Sequence, residues 1–317
     1  RYGSPDVLTF QEVDKPVATA DKVLVRVHAS SVNRADLDYL GGKPAFARLF
    51  TGLRAPKVRR LGLDVAGVVE AVGPNVTRFQ PGDAVFGDMT QHGYGAFAEY
   101  VCAPERAFAP KPAKMTFEES ATVPQAAILA LLGLRHKRQI EPGQKVLING
   151  ASGSVGPFAV QIAKALGAEV TGVCSTGKLE MARSLGADHV IDYTRENFTR
   201  GGRRYDLILD ISAQHSIFAY RRALTPTGVY SCVGGATGPI LQALALGPLI
   251  SRFGSKKLGL PLNWKPFNQP DVAYLTELIE AGKLTPLIDR SFPLADVADA
   301  LRYVDAGHAR GKVVITF

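Results

Sequence analysis

The residues from Lys145 to Gly167 read Lys-Val-Leu-Ile-Asn-Gly-Ala-Ser-Gly-Ser-Val-Gly-Pro-Phe-Ala-Val-Gln-Ile-Ala-Lys-Ala-Leu-Gly, an order of residue types suited to holding an anion on backbone amides. An apolar strand runs into a glycine-rich turn. Apolar residues then recur at Val155, Phe158, Ala159, Ile162, Ala163 and Leu166, the spacing of one helix face. Pro157 falls in the first turn, where no backbone donor is lost, and Gly167 closes the helix. A pyrophosphate binds to such a turn because the opening N–H groups of a helix have no partners of their own and sit at its positive end. In the pattern Ala151-x-Gly153-x-x-Gly156, Gly153 lets the backbone approach the diphosphate and Gly156 lets helix and strand pack closely. Ser152, Gly153, Ser154, Val155 and Gly156 are therefore expected to bind a dinucleotide.

The choice between nicotinamide cofactors lies about 20 residues on, where NAD enzymes place an acid against the adenosine ribose. Here the chain reads Val173-Cys174-Ser175-Thr176-Gly177-Lys178, without a carboxylate. Two hydroxyls and an ammonium at Ser175, Thr176 and Lys178 suit a 2′-phosphate, so the expected cofactor is NADPH, preferred over NADH by at least about tenfold. Tyr193, after the third strand, is expected to flank the adenine or touch the same phosphate.

Those residues need a scaffold, and the chain alternates accordingly. Up to about Glu119, short β-rich runs (22–27, 67–72 and 84–86) are punctuated by Gly and Pro, as in a compact β domain. From Ser120, apolar runs at 145–149, 169–174, 189–192, 205–211 and 228–233 alternate with helical segments at 154–166, 178–185 and 215–224, the pattern of a parallel sheet covered on both faces. Residues 234–264 carry no firm assignment, an amphipathic helix or a flap over the site being the alternatives. A helix over 271–280 and a strand over 311–316 follow. The 317 residues, 46% hydrophobic and 21% charged with a net charge of +8, have a soluble globular composition. The longest apolar candidate, Pro239 to Ile250, is interrupted by Gln242, Gly247 and Pro248, and no stretch approaches the ~18 apolar residues of a membrane span. Cys102, Cys174 and Cys232 have no metal-site or disulfide spacing, which excludes a cysteine framework and indicates a reducing compartment, the cytoplasm. The basic charges form no run longer than a pair, as expected of a solvated surface without a nucleic-acid partner. The chain opens with Arg1, so a few preceding residues are expected.

Taken with Tyr2-Gly-Ser-Pro-Asp-Val-Leu8, Ser31-Val-Asn-Arg-Ala-Asp36, Gly62-Leu-Asp-Val-Ala-Gly-Val-Val69, Gly95-Ala-Phe-Ala-Glu-Tyr100, the stretch 184–193 and His308-Ala-Arg-Gly-Lys312, the loop makes nearly the whole chain resemble the medium-chain dehydrogenase/reductase superfamily. More narrowly, the chain is similar to the zinc-free quinone oxidoreductase branch. The resemblance implies an α/β fold: a GroES-like β domain built from residues 1–119 and 265–317, and a Rossmann doubly wound parallel-sheet domain over 120–264, with the active site in a cleft. Zinc relatives carry Cys where this chain has Asn33, Gly-His-Glu where it has Gly62-Leu63-Asp64, and another Cys near Gln125 or Ala126. Leu63 cannot ligate zinc, so no metal is expected.

The resemblance also implies that Asn33 lies beside the nicotinamide, with Asp36 supporting the same turn. Enoyl-reductase relatives carry a proton-donating Tyr at a position matching Pro44, for which Tyr39, Tyr94 or solvent are the substitutes here. Leu129 cannot bond the nicotinamide carboxamide as a relative's Thr does, so backbone groups at Val233 and Gly234 are expected to do so. Arg310 and Lys312 are expected to be solvated, closure over a phosphate being the alternative. Without a Lewis acid, reduction of an already electrophilic acceptor is easier than oxidation of an alcohol. The expected activity is NADPH-dependent hydride transfer to quinones or α,β-unsaturated carbonyl compounds; the alternatives are a zinc-type alcohol dehydrogenase and an NADPH-binding protein without turnover. A homodimer through an edge strand at 257–264, or contact of that region with a membrane surface, completes the expectations.

Overall fold

The computed structural model describes residues 1–262 and 265–317. Its strands in chain order are β1 (Lys22–Val32), β2 (Asp64–Val72), β3 (Ala84–Asp88), β4 (Tyr100–Pro104), β5 (Phe108–Pro110), β6 (Lys145–Asn149), β7 (Glu169–Cys174), β8 (His189–Asp192), β9 (Tyr205–Asp210), β10 (Leu224–Cys232), β11 (Lys257–Gly259), β12 (Ile288–Pro293) and β13 (Lys312–Thr316). They divide between two compact units. One comprises Arg1–Ile128, Pro266–Glu280 and Pro286–Phe317; the other comprises Leu129–Lys265 and Ala281–Thr285. The first division therefore falls after Ile128, inside the Pro124–Leu134 helix, rather than after Glu119.

The first unit is built on a largely antiparallel sheet in the order β12-β13-β1-β2-β3-β5, with β4 also paired to β1. Val23, Val25 and Val27 of β1 point with Val65, Val69, Val85 and Phe108 into one core, the period-two pattern expected of a half-buried strand. A register shift between Val27 and Ala29 bends β1, and beyond it Ser30, Ser31, Val32 and Asn33 are all buried. There Ser31 faces Asp64 of β2 on one side and Val314 of β13 on the other, so three distant segments converge at the end of one strand.

The second unit carries a parallel sheet in the order β11-β10-β9-β6-β7-β8. Numbered from β6, this is the 3-2-1-4-5-6 order of the doubly wound dinucleotide fold, whose ligands lie beyond the carboxyl ends of the strands. Tyr220 stacks on Tyr230 inside its core, with Leu147, Val173 and Ile208 around them. The helix after β6 begins at Gly156 rather than Ser154, and Thr176–Lys178 form a short 3-10 turn ahead of the Leu179–Ser184 helix. The segment without firm assignment folds as a helix over Thr237–Phe253 followed by β11, an edge strand parallel to β10. The expected edge strand reached Trp264, which with Asn263 lies outside the described residues.

The two glycines of the loop differ in what the fold demands of them. A Cβ on Gly156 would stand 2.3 Å from the Gly150 carbonyl oxygen and 2.4 Å from the Ala151 carbonyl carbon, both rigid backbone. A Cβ on Gly153 would meet nothing nearer than 3.9 Å. In thermal or urea unfolding, Gly156→Ala should therefore cost roughly 1–3 kcal/mol, whereas Gly153→Ala should stay within about 0.5 kcal/mol of the parent.

Candidate active site

In the second unit the sites expected to hold a dinucleotide gather at the carboxyl ends of β6, β7, β8 and β10. Gly150, with φ of +91°, turns the chain out of β6; its N–H and that of Ala151 donate to the Val173 carbonyl at 3.1 and 3.0 Å, anchoring the loop to β7. Ser152, Gly153, Ser154 and Val155 then lead into the helix at Gly156, whose opening N–H groups supply the donors an anion needs. The open space at Gly153 is a cradle that a side chain would fill and that packing does not explain, so the loop fits a diphosphate.

Ser175, Thr176 and Lys178 stand at the end of β7, and Tyr193, 62% exposed, follows β8. Val233 and Gly234 follow β10, but the availability expected of their backbone groups is largely removed. Both N–H groups donate to the Asp210 carbonyl, at 2.8 and 3.3 Å, and the Gly234 carbonyl accepts from Ala213 N. Among the described residues the Val233 carbonyl has no backbone partner and stays open to a carboxamide. Asp210 itself is buried, receives hydrogen bonds from Asn149 Nδ2 at 2.7 Å and the Tyr230 hydroxyl at 3.0 Å, and is pushed by burial up to about 6. It ties the ends of β6, β9 and β10 together.

In the first unit, Asn33 and Asp36 sit at the start of the Arg34–Gly41 helix, and both are buried. Asp36 Oδ2 accepts from Asn33 N at 2.9 Å and Oδ1 from Gly62 N at 3.0 Å, so this carboxyl caps the helix and holds the Gly62 turn against it. The Asn33 carboxamide is engaged at both ends: Nδ2 donates to Asp64 Oδ2 at 2.8 Å, and Oδ1 accepts from Lys312 Nζ at 2.6 Å. Lys312 is the main departure from expectation. It is not solvated but 1% exposed, its ammonium reaching Asn33 Oδ1, the Val32 carbonyl at 3.3 Å and Asp64 Oδ2 at 3.2 Å. Arg310, two residues earlier, is exposed as expected.

Asp64 completes the cluster by accepting from Ser31 Oγ at 2.7 Å and from Gln125 N at 2.9 Å. Asn33, Asp64 and the Gln125 amide, at or near positions that the resemblance matches to zinc ligands, thus form a hydrogen-bonded core around Lys312, and the buried Leu63 side chain brings no ligand atom. Among the described residues no group of three or more His, Cys, Asp or Glu side chains has metal-site geometry.

Tyr39 does not present a free proton. Its hydroxyl donates to the Val58 carbonyl and accepts from Val58 N, both at 3.2 Å, while its ring lies 4.5 Å from that of Tyr94. Tyr94, in the left-handed region at φ +57°, has no hydroxyl hydrogen bond among the described residues, and burial pushes it up to about 12, so it keeps its proton.

Sequence reasoning missed Lys312, Ser31 and the Gln125 amide, and it missed Asp88. Asp88 lies directly across the β2–β3 ladder from Asp64, with Oδ1 taken by Thr90 and a buried Oδ2 that has no partner. Burial, reinforced by the Asp64 charge, pushes Asp88 up to about 7, and the same two causes do so to Asp36 against the pull of its two amides and Lys312. A carboxyl raised in the folded state stabilises the fold while protonated and loses that contribution as pH rises through its folded value. Asp88→Asn, which mimics the protonated form, should accordingly gain stability relative to the parent as urea unfolding is moved from about pH 5 to about pH 8.

Comparison with known proteins agrees with this geometry. An alcohol dehydrogenase GroES-like domain matches residues 19–113 and a zinc-binding dehydrogenase domain matches residues 185–315. The NAD(P)H oxidoreductase RTN4IP1, mitochondrial, of Mus musculus is 33% identical over 349 residues, covering 99% of this chain and 87% of its own length. The NADPH-dependent alkenal/one oxidoreductase, chloroplastic, of Arabidopsis thaliana is 31% identical, covering 99% of this chain and 77% of its own. A solved quinone oxidoreductase from Coxiella burnetii aligns with a TM-score of 0.86 at 28% identity, covering 100% of this chain and 97% of that one. The chain belongs to the medium-chain dehydrogenase/reductase superfamily, in its zinc-free branch of NAD(P)H-dependent oxidoreductases.

Proposed function

We propose that the protein is an NADPH-dependent, zinc-independent reductase of quinones or α,β-unsaturated carbonyl compounds. The observation that carries this reading is the Gly153 cradle, whose missing Cβ serves no packing need and suits a diphosphate on the helix amides. When bound, the dihydronicotinamide supplies a hydride. The chain's own residues bind and orient. The loop from Ser152 to Gly156 holds the diphosphate, and Ser175, Thr176, Lys178 and Tyr193 form the adenosine end. Val233 and Gly234 offer the carboxamide one carbonyl.

Asn33 and Asp36 act as positioning residues, because Lys312, Asp64 and the Gly62 amide already engage their polar atoms. A buried ammonium bonded to Asp64 and Asn33, with Leu63 between two ligand positions, supports chemistry without zinc. The acceptor takes one hydride and one proton, giving a hydroquinone or a saturated carbonyl. The printed names of the relatives, with quinone and alkenal/one among their acceptors, favour the same classes.

The three free thiols suit a reducing compartment; the cytoplasm is the expected one, although the relatives named above are mitochondrial and chloroplastic. No described helix is long and apolar enough to cross a membrane. The outer edge of β11, with Leu241, Leu244 and Leu262 exposed nearby, is the proposed homodimer contact, expected to give twice the 33.9 kDa chain mass in sedimentation.

NADPH oxidation should be measured against naphthoquinones, short enals and cyclic enones, where turnover of at least one class is expected and inertness toward all would refute the reading. In fluorescence titration, Gly153→Ala should weaken NADPH without loss of stability. Lys178→Ala should weaken it roughly 10- to 100-fold, from the ~1.5–3 kcal/mol of a charge-assisted bond.

A further inference from the structure

The end of β7 contains no acid in sequence, but the sheet brings one to it. β7 and β8 run parallel with Cys174 opposite Asp192, so the last residue of β8 lies beside the point where β7 gives way to Ser175 and Thr176. Asp192 is 7% exposed. Its Oδ2 accepts from Thr176 Oγ1 at 2.5 Å, and its Oδ1 accepts from Thr194 Oγ1 at 2.7 Å and Thr194 N at 3.0 Å. Arg195 Nε lies 3.6 Å from Oδ2 on the solvent side. The Thr176 and Thr194 hydroxyls hold this carboxyl below the usual range, so it is ionised at neutral pH.

Each threonine hydroxyl has one proton, and each is directed to Asp192. Their oxygens, 3.3 Å apart, consequently offer a ligand only lone pairs. A phosphate dianion is all acceptor and gains nothing from lone pairs, whereas a ribose 2′-hydroxyl is a donor and does. The donors near this strand end that suit a 2′-phosphate are the Ser175 hydroxyl, which has no partner among the described residues, and the cations Lys178 and Arg195.

We propose that Asp192 is a cofactor-specificity residue: by orienting Thr176 and Thr194 it turns part of the ribose pocket into an acceptor surface that admits the 2′-hydroxyl of NADH and limits the preference for NADPH. The inference rests on the reading that a dinucleotide occupies this unit. Asp192 is thus the counterpart of the ribose-binding acid of NAD enzymes, delivered from the third strand through a threonine rather than placed on the second.

The test is the ratio of dissociation constants for NADPH and NADH, read by dinucleotide fluorescence on the whole chain, with melting temperatures in parallel. Asp192→Asn removes the charge and releases the Thr176 proton, and should raise the preference for NADPH by about tenfold, chiefly through tighter NADPH binding. Thr176→Val, which deletes the acceptor oxygen and keeps the acid, should weaken NADH more than NADPH. An unchanged ratio in Asp192→Asn, or a parallel loss of both affinities, overturns the proposal by reducing Asp192 to a loop support. Should Asp192→Asn fail to fold, the ratio in Thr176→Val decides alone, and no change there is equally fatal. If the parent protein binds neither dinucleotide, the proposed function fails; if it binds both and the variants leave the ratio unmoved, only the role of Asp192 fails.

Discussion

The buried ammonium of Lys312 is the constraint on which the first unit depends. Asp36, Asp64 and Asp88 lie within or next to one core, and Lys312 is the cation that reaches it. Charges removed from water are tolerated only where hydrogen bonds and an opposite charge replace the lost hydration, and breaking such a pair by removing one partner costs roughly 3–5 kcal/mol. The pair also has a topological consequence. Lys312 opens the C-terminal strand, Asn33 directly follows the first strand and Asp64 opens the second, so one cluster ties three strands together where they meet. The raised carboxyls at Asp36 and Asp88 follow first from their burial and then from the Asp64 charge beside them, which Lys312 offsets only in part.

On the proposed function the second unit has the opposite problem, holding an external anion with few fixed charges. Its glycine loop uses amide dipoles, and its strand ends are braced by Asp210 from within the sheet. A brace of this kind matters because the turn after β10 hangs from the Asp210 carbonyl by two N–H bonds. The geometry of the turn proposed for the nicotinamide end therefore depends on a buried acid.

Most of the framework was legible because it is encoded by local periodicity. The strands over 145–149, 169–174 and 189–192 coincide with those observed, and the close packing at Gly156 follows from a turn whose participants are neighbours in sequence. What was not legible depends on pairing at a distance. Lys312 looks like an ordinary exposed lysine after a glycine until β13 is laid beside β1, and Asp192 is unrelated to Thr176 until β8 pairs with β7. The Thr237–Phe253 helix settles a stretch whose sequence leaves open an amphipathic helix or a flap. A Cβ on Gly247 would stand 2.7 Å from the Leu258 carbonyl, so the glycine lets β11 approach the helix.

The distribution of uncommitted protons bears on which acceptor suits the protein best. Asn33 is held by Lys312 and Asp64, Asp36 accepts from two amides, and Tyr39 has its hydroxyl proton on Val58. Tyr94 retains a proton but burial makes it a weak acid. On the proposed function, Asn33 and Tyr39 therefore orient the reactants, and neither presents a free proton to follow the hydride. After hydride addition a quinone is left as a phenolate oxygen, which takes its proton from water without assistance, whereas an enolate must be protonated at carbon, where a positioned acid contributes typically 10²–10⁴-fold. Within the proposed function, tyrosines that offer no ready proton cost the first reaction little and the second more, and that asymmetry favours quinones among the proposed acceptors.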